Sequence, residues 1–114
     1  VIIPMQCEYF ALEGLSDLVS TIKKVKQHLN PNIEIEGLLR TLFDRRNTLT
    51  KQVSDQLAAH FGSKVYTTII PRNVRLAEAP SYGQSVISYD RSSKGAKAYL
   101  TLAEEILLGQ HNEK

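Results

Sequence analysis

Residues 64–81 read KVYTTIIPRNVRLAEAPS, an apolar, β-branched run followed by a charged segment with a proline near each end. The first part, residues 65–70, predicts a buried strand. Because proline lacks a backbone N–H and disfavours helix at the preceding residue, we expect that strand to stop at Pro71. The irregular polar segment that follows, residues 71–81, lies where α/β proteins commonly place their binding residues.

The other strands are predicted by short apolar runs. Residues 1–5 predict a first buried strand and residues 33–43 a second, with Gly37 inside it. Residues 64–70 are then the third strand. A short extended piece is expected at residues 86–89, after a turn at residues 81–83.

Three helices are predicted by apolar side chains at three- and four-residue steps. The first covers residues 9–30, and the second starts from a cap at Asn47 or Thr48 and ends at Gly62. The third begins after capping residues at 90–93, and we expect its polar tail to fray after Gly109.

The resulting order is β-α-β-α-β-loop-α, which predicts the α/β class with a parallel sheet covered by helices. Three strands make a thin sheet with an exposed apolar edge, whereas parallel sheets are normally covered on both faces. We therefore expect half of a larger doubly wound domain. The start within an apolar run, at Val1 rather than at a methionine, leads to the same expectation.

Composition narrows the class of protein. The single cysteine, Cys7, rules out an internal disulfide and favours a reducing compartment. No apolar run approaches the roughly 18 residues that a bilayer crossing needs, and no signal-peptide pattern is present.

The net charge is +2, but it is unevenly distributed. Residues 40–75 contain seven Lys and Arg side chains against two Asp. A basic stripe on a nearly neutral protein indicates contact with a polyanion. A solvated loop surface is the alternative, and charge alone does not decide between them.

A self-contained catalytic site is not predicted. The phosphate-loop pattern G-x-x-x-x-G-K-[ST] does not occur in this sequence. The three histidines are far apart, and we expect them to be structural or exposed rather than metal ligands. Cys7 is expected to be a buried, inert thiol.

Polar residues follow each predicted strand, at residues 6–8, 41–47 and 71–81. The carboxyl ends of parallel strands meet at one edge of the sheet, and open α/β sheets bind their ligands there. We therefore expect the three segments to converge on one candidate site.

Four ordered blocks resemble the ParA-type partition ATPases, whose chromosomal members are called Soj. IPMQCEYFALEGL (residues 3–15) looks like the family's I-P-x-Q-x-E-x-x-A-L-E-G-L block, and TLFDRRNTL (41–49) is similar to its T-x-x-D-x-R-x-x-L block. IPRNVRLAEAPS (70–81) is nearly identical to a third block, and residues 89–96 resemble the run that opens the final helix. One departure is RRNT at 45–48, where many relatives have A-R-T-N. Arg46 matches the family's arginine, but the other side chains differ, so the resemblance does not predict the polar contacts of this segment.

The resemblance implies the C-terminal part, residues 1–114, of a ParA/MinD-like deviant P-loop ATPase domain whose phosphate loop lies upstream. The parent protein would bind ATP and Mg²⁺ and hydrolyse ATP, whereas this chain alone is expected to be inactive and to hold neither tightly. The implied partners are a second copy in an ATP-dependent dimer, non-specific DNA and a ParB-type centromere-binding protein. The implied location is cytoplasmic and nucleoid-associated, without a membrane.

The resemblance also implies roles for individual residues. Arg46 and Arg75 match the family's DNA-contacting arginines. A guanidinium can form two hydrogen bonds with phosphate oxygens, which suits contact with the DNA backbone. The alternative is a salt bridge, from Arg46 to Asp44 or from Arg75 to Glu78.

Nucleotide contacts are implied at Pro71, Arg72 and Asn73, and in second place at Thr41 and Asp44. A plain turn that ends the strand is the alternative for residues 71–73, and Arg72 could instead brace the loop or the dimer.

Gln6 and Glu8 match positions near the nucleotide and the opposite protomer. Their alternative role is to favour the start of the long helix.

Two other functions stay open. One is a MinD-like positioning ATPase, which an amphipathic C-terminal membrane helix would favour; the acidic Glu104 and Glu105 near the end of the last helix argue against it. The other is a stand-alone interaction module without enzymatic activity.

Overall fold

A computed structural model describes residues 1–7, 11–44 and 46–112, and within them the chain forms a parallel sheet between helices. The strands are β1 (Ile2–Gln6), β2 (Gly37–Phe43) and β3 (Val65–Pro71). The helices are α1 (Ala11–His28), α2 (Thr48–Phe61), α3 (Val74–Glu78), α4 (Val86–Tyr89) and α5 (Lys94–Asn112). Short 3₁₀ turns occupy Gly62–Lys64 and Ala79–Tyr82.

The sheet has the order β1-β2-β3, and both pairs of neighbouring strands are parallel. Gln6 lies opposite Thr41 in the first pair, and Phe43 lies opposite Pro71 in the second. The α/β class and the parallel sheet are therefore confirmed, and the arrangement is that of part of a doubly wound P-loop NTPase sheet.

Helices cover both faces of this sheet, because each strand alternates side chains between the two faces. Ile3, Met5 and Leu38 pack with the apolar side chains of α1 and α2 in one cluster. Leu39 and Ile70 point the other way and pack with Leu102 of α5. On the helix faces predicted from periodicity, Leu15, Ile22, Val53, Leu57 and Leu102 are buried, whereas Leu18, Leu29 and Leu49 are exposed.

The chemistry of the helix ends follows the sequence closely at α2. The Asn47 side chain accepts hydrogen bonds from the backbone N–H groups of Leu49 (2.9 Å) and Thr50 (3.4 Å). At the other end Gly62 has φ +52°, and its N–H donates to the carbonyl of Ala58. Both predicted caps are confirmed.

Strand β2 begins at Gly37, so the prediction of a strand from residue 33 was wrong at its start. Residues 33–36 alternate like a strand, but their hydrogen bonds go to separate partners. The Ile33 N–H donates to the Asn30 carbonyl (3.3 Å) and the Glu36 N–H to the Val1 carbonyl (2.7 Å), while Lys64 donates to the Ile35 carbonyl (3.0 Å). At Gly37, the first residue of β2, a side chain has no room, because a Cβ atom there would collide with the ring of Tyr66.

Residues 71–81 are mostly helical, and the expectation of an irregular segment was wrong. α3 is followed directly by the turn Ala79–Tyr82, in which Pro80 occupies an early position that needs no N–H donor. Leu76 packs α3 against the rest of the chain. It contacts the cluster of Leu39, Ile70 and Leu102 and also the cluster of Ala79, Val86 and Ala96.

The expected extended piece at residues 86–89 is instead the short helix α4. The Ser85 side chain accepts the N–H of Ser88 (3.2 Å) and caps its first turn. α5 also continues past Gly109 to Asn112, where the sequence predicted a frayed tail. Gly109 is not among the glycines with positive φ, so it does not end the helix.

Candidate functional site

Polar residues from three loops converge at the carboxyl edge of the sheet, as predicted. A cleft of about 90 Å³ opens there. It is lined by Gln6, Cys7, Leu42, Asp44, Asn47, Leu49, Thr50 and Arg72. Small-molecule sites usually enclose roughly 300–1,000 Å³. The cleft is therefore too small to enclose a ligand by itself, and it can form only one side of a ligand site.

The predicted nucleotide contacts are distributed unevenly around this cleft. Gln6, Asp44 and Arg72 line it. Thr41 lies opposite Gln6, two residues before the end of β2, and Pro71 is the last residue of β3. Asn73 is not among the lining residues, and Glu8 lies outside the described residues.

Strained backbone shapes the cleft at Leu42, which has φ +50°. Among the described residues it is the one non-glycine residue with positive φ. A β-bulge lies at the same place, because Arg40 and Phe43 are three residues apart while their partners Ile69 and Pro71 are two apart. Strain of this kind costs about 1–3 kcal/mol and is typically kept where a loop must be aimed at a ligand.

Asp44 and Arg46 form a local ion pair beside the cleft. The Asp44 carboxylate accepts the Arg46 backbone N–H (3.0 Å) and its Nε–H (3.4 Å). The backbone hydrogen bond is the main reason that the pKa of Asp44 is lowered, and the charge of Arg72 adds to the effect. The Arg46 side chain is 93% exposed, so this salt bridge leaves most of the guanidinium open to solvent.

Arg72 and Asn73 leave the strand in different directions. The Arg72 N–H donates to the Phe43 carbonyl (3.4 Å), which ties this loop to the loop after β2. Asn73 precedes α3 but makes no side-chain cap, and its Oδ1 atom is buried without a hydrogen-bond partner. That atom would lie 3.1 Å from a Cβ atom added at Gly95, so the Asn73 side chain faces the start of α5.

Arg75 is the centre of a second polar cluster, which contains Arg75, Glu78, Tyr89 and Asp90. Arg75 Nη1 contacts Glu78 Oε2 at 3.0 Å, and Arg75 Nε contacts Asp90 Oδ2 at 3.3 Å. The Tyr89 hydroxyl donates to the same Glu78 oxygen at 2.6 Å. Both salt bridges that the sequence offered as alternatives, at Arg46 and at Arg75, therefore form.

These contacts explain the titration of the cluster. The Tyr89 hydroxyl is the main cause of the lowered pKa of Glu78, and Arg75 contributes as well. The same hydrogen bond, together with desolvation, raises the pKa of Tyr89. The cluster thus pairs one guanidinium with the carboxyl groups of Glu78 and Asp90.

Cys7 is 4% exposed, as expected for an inert thiol. Burial raises its pKa, and the positive charge of Arg40 partly opposes that effect. A high pKa keeps the thiol protonated and makes it a poor nucleophile.

Sequence reasoning missed three residues of the site: Leu42, Tyr89 and Asp90. Nothing in the sequence around Leu42 signals positive φ, since leucine rarely adopts it. Asp90 was predicted only as a helix cap. Its pairing with Arg75 crosses 15 positions of sequence, which local patterns do not reveal.

A parallel sheet with helices on both faces and polar loops at its carboxyl edge defines an α/β protein, and it is consistent with part of a doubly wound P-loop NTPase fold. The comparisons agree with this class, because residues 1–35 match a family model described as an AAA domain.

Curated relatives narrow the class to one family. The chain is 53% identical over 107 residues to "Chromosome partitioning protein ParA" of Caulobacter vibrioides, covering 94% of this chain and 40% of that protein. It is 54% identical to "Sporulation initiation inhibitor protein Soj" of Bacillus subtilis, covering 93% and 42%. It is 50% identical to "Chromosome-partitioning ATPase Soj" of Thermus thermophilus, covering 94% and 43%. The chain therefore matches ParA/Soj-type sequences over nearly its whole length, and it spans about two fifths of the length of these relatives.

The resemblance read from the four sequence blocks is confirmed by these matches. Across the helices that the structure describes, none has the length and apolar character needed to cross a membrane.

Proposed function

We propose that this chain is the C-terminal part of a ParA/Soj-type partitioning ATPase, and that it supplies one wall of the nucleotide site, part of the dimer surface and a non-specific DNA-binding face. The observation that carries the proposal is the meeting of Gln6, Asp44 and Arg72 in one cleft. Each residue comes from a different family-like block, and the cleft lies at the edge where open α/β sheets bind ligands.

In this proposal the cleft contacts the base side of ATP. Arg72 and Asp44 offer a donor and an acceptor there, and Pro71 offers an apolar surface. Phosphate binding and hydrolysis belong to the rest of the longer protein. Within the described residues no group of three His, Cys, Asp or Glu side chains is placed to hold a metal.

Arg46 and Arg75 form the proposed DNA-binding face. Each follows the carboxyl end of a neighbouring strand, β2 or β3, and the Arg46 side chain is almost fully exposed. A guanidinium fork recognises two phosphate oxygens without reading the base sequence. DNA binding of this kind would keep the protein on the nucleoid.

The remaining surfaces are proposed for protein partners. Gln6 at the end of β1 is exposed and adjoins the cleft, which suits a contact shared by the nucleotide and a second protomer. We propose the same for Glu8 and, for the assembled dimer, recognition by a ParB-type centromere-binding protein.

The experiment uses the full-length protein that contains this chain, with Arg46→Ala, Arg75→Ala and the charge-matched control Lys23→Ala on α1. DNA affinity is measured across a salt titration on several sequences, and ATP binding is measured in parallel. Either arginine variant should weaken DNA binding on every sequence and lower the salt slope by about one unit, because one phosphate contact is lost. ATP binding should stay at the wild-type level.

Lys23→Ala removes the same charge from a helix away from the sheet edge, so its salt slope should match that of the wild type. An unchanged slope in both arginine variants would contradict the DNA-binding face. Arg72→Ala, with an expected loss of ATP affinity of about tenfold for one charge-assisted hydrogen bond, tests the nucleotide wall separately.

A further inference from the structure

We propose that Glu78 and Asp90 are positioning residues that hold Arg75 in a closed latch, so that a DNA phosphate binds Arg75 only by displacing one of the two carboxylates. The latch comprises Arg75, Glu78, Tyr89 and Asp90. The inference rests on the proposed DNA-binding face and adds to it a pair of acidic residues that limit affinity.

The first argument comes from the donors of the guanidinium. A phosphate fork needs two neighbouring N–H groups, either Nε with one terminal nitrogen or the two terminal nitrogens together. Nε is engaged by Asp90 at 3.3 Å, and Nη1 is engaged by Glu78 at 3.0 Å. A carboxylate therefore already occupies part of each pair of donors.

The second argument comes from local charge. Two carboxylates face one guanidinium, so the closed latch carries a net negative charge. A phosphate that approaches it meets repulsion from Glu78 and Asp90 before it gains Arg75. Arg46 differs, because among the described residues it pairs with one carboxylate, that of Asp44, and its side chain is 93% exposed.

The third argument is that the latch can open. The side chains of Arg75, Glu78 and Asp90 are 50%, 36% and 31% exposed, so their ion pairs are in contact with water. Exposed pairs of this kind are weak and are screened by salt. A phosphate can therefore displace them at a modest cost.

Tyr89 ties the latch to the surrounding structure. Its hydroxyl holds Glu78 at 2.6 Å, and its ring stacks on Tyr82 with the ring centres 5.1 Å apart. Glu78 lies at the end of α3 and Tyr89 at the end of α4, so the latch links these two short helices. The carboxylate that restrains Arg75 is itself held in place by a packed side chain.

The test neutralises each carboxylate in the full-length protein and measures affinity for duplex DNA of random sequence. Glu78→Gln keeps an oxygen that can accept the Tyr89 hydroxyl, and Asp90→Asn provides a second, independent variant. Each should raise DNA affinity about two- to fivefold at low salt, the size expected for releasing one exposed ion pair. The gain should shrink as salt rises, because screening weakens both the latch and the repulsion.

Glu34→Gln is the matched control, because it also removes one negative charge and breaks an exposed ion pair, that with Lys26 at 3.5 Å. Its DNA affinity should stay near that of the wild type. The gain from Glu78→Gln or Asp90→Asn should also vanish in an Arg75→Ala background, since the latch acts only through Arg75.

The outcomes separate the latch from the proposed function. If Arg75→Ala weakens DNA binding while the carboxylate variants leave it unchanged or weaken it, the latch is overturned and the DNA-binding face stands. If Arg75→Ala has no effect on DNA binding, the latch is overturned, because it acts only through Arg75. The DNA-binding face is overturned as well only if Arg46→Ala also leaves the salt slope unchanged. A gain that persists without Arg75 would also overturn the latch, because a general charge effect would then explain it.

Discussion

Two helical glycines, Gly95 and Gly14, differ in what surrounds the position of a missing Cβ atom. A Cβ at Gly95, in the first turn of α5, would collide with the Leu76 side chain of α3. A Cβ at Gly14 in α1 would meet no atom within 4 Å. Gly95 therefore lets α3, which carries Arg75, pack closely against α5, whereas Gly14 has no such role.

We predict opposite changes in stability for the two glycine-to-alanine variants. Gly14→Ala should raise the free energy of unfolding by about 0.5–1 kcal/mol, because alanine favours helix. Gly95→Ala should lower it by about 1–3 kcal/mol, the usual cost of forcing an extra carbon into a packed site. Urea unfolding of both variants measures the difference. Equal stabilisation by the two would show that the contact with Leu76 relaxes without cost.

Side chains from two other elements bind the backbone of β3. Glu105 of α5 accepts the backbone N–H groups of Thr67 (2.7 Å) and Thr68 (2.8 Å). Arg40 of β2 donates to the carbonyls of Tyr66 (2.8 Å) and Thr67 (3.3 Å). These contacts hold an irregular stretch of β3, where the register against β2 shifts.

Desolvation acts to raise the pKa of Glu105, but the hydrogen bonds from Thr68 and Thr67 and the charge of Arg40 outweigh it and lower the pKa. A carboxyl group whose pKa is lower in the folded than in the unfolded state stabilises the fold above its unfolded pKa. That contribution is lost as the pH falls through the folded value.

Glu105→Gln should therefore destabilise the chain at neutral pH and lose part of its acid dependence. We expect a cost of about 1 kcal/mol at pH 7, at the lower end for hydrogen bonds to a charged group because the carboxylate is partly exposed. The difference from the wild type should start to shrink as the pH falls toward the unfolded pKa of glutamate, about 4.3, and should vanish only below the lower folded pKa. Urea unfolding between pH 3 and pH 7 measures it. The exposed neighbour Glu104 provides the control variant Glu104→Gln. Equal effects of Glu105→Gln and Glu104→Gln would contradict a stabilising role of the hydrogen bonds between Glu105 and β3.

At the scale of the whole molecule, β1 leaves one edge of the sheet open. Within the described residues β1 pairs with β2 and with no other strand, so its outer backbone groups are not bonded in a ladder. Ile2, Pro4 and Gln6 alternate with buried residues and face solvent, and Val1 and Ile2 are 49% and 42% exposed. An open strand edge next to exposed apolar side chains favours association between molecules.

We expect the isolated 114-residue chain to self-associate through β1. Sedimentation over a wide range of concentration should show species larger than a monomer. Ile2→Lys should reduce that association, because a lysine on an edge strand opposes strand pairing. Thr101→Lys, on the exposed side of α5, is the matched control and should leave association unchanged. A stable monomer at all concentrations would contradict the prediction.

Much of the architecture follows from local sequence. The apolar repeat of α1 and α2, the β-branched run of β3 and the Asn47 and Gly62 caps each depend on neighbouring residues, so their prediction succeeded. The meeting of three loops at one edge also followed, because parallel strands place their carboxyl ends together. The helices α3 and α4 were missed because short helices are stabilised by packing more than by propensity.

The sequence by itself determined the class of fold, the order of its main elements and the family blocks that carry the proposed site. Only the tertiary structure decided which side chains those residues meet. Three features depend on the tertiary structure: the positive φ of Leu42, the hydrogen bonds from β3 to Glu105, and the contacts of Arg75 with Glu78 and Asp90. Glu105 reaches Thr67 across 38 positions of sequence, and no local preference encodes such a contact. It forms because packing α5 against β3 brings the two together.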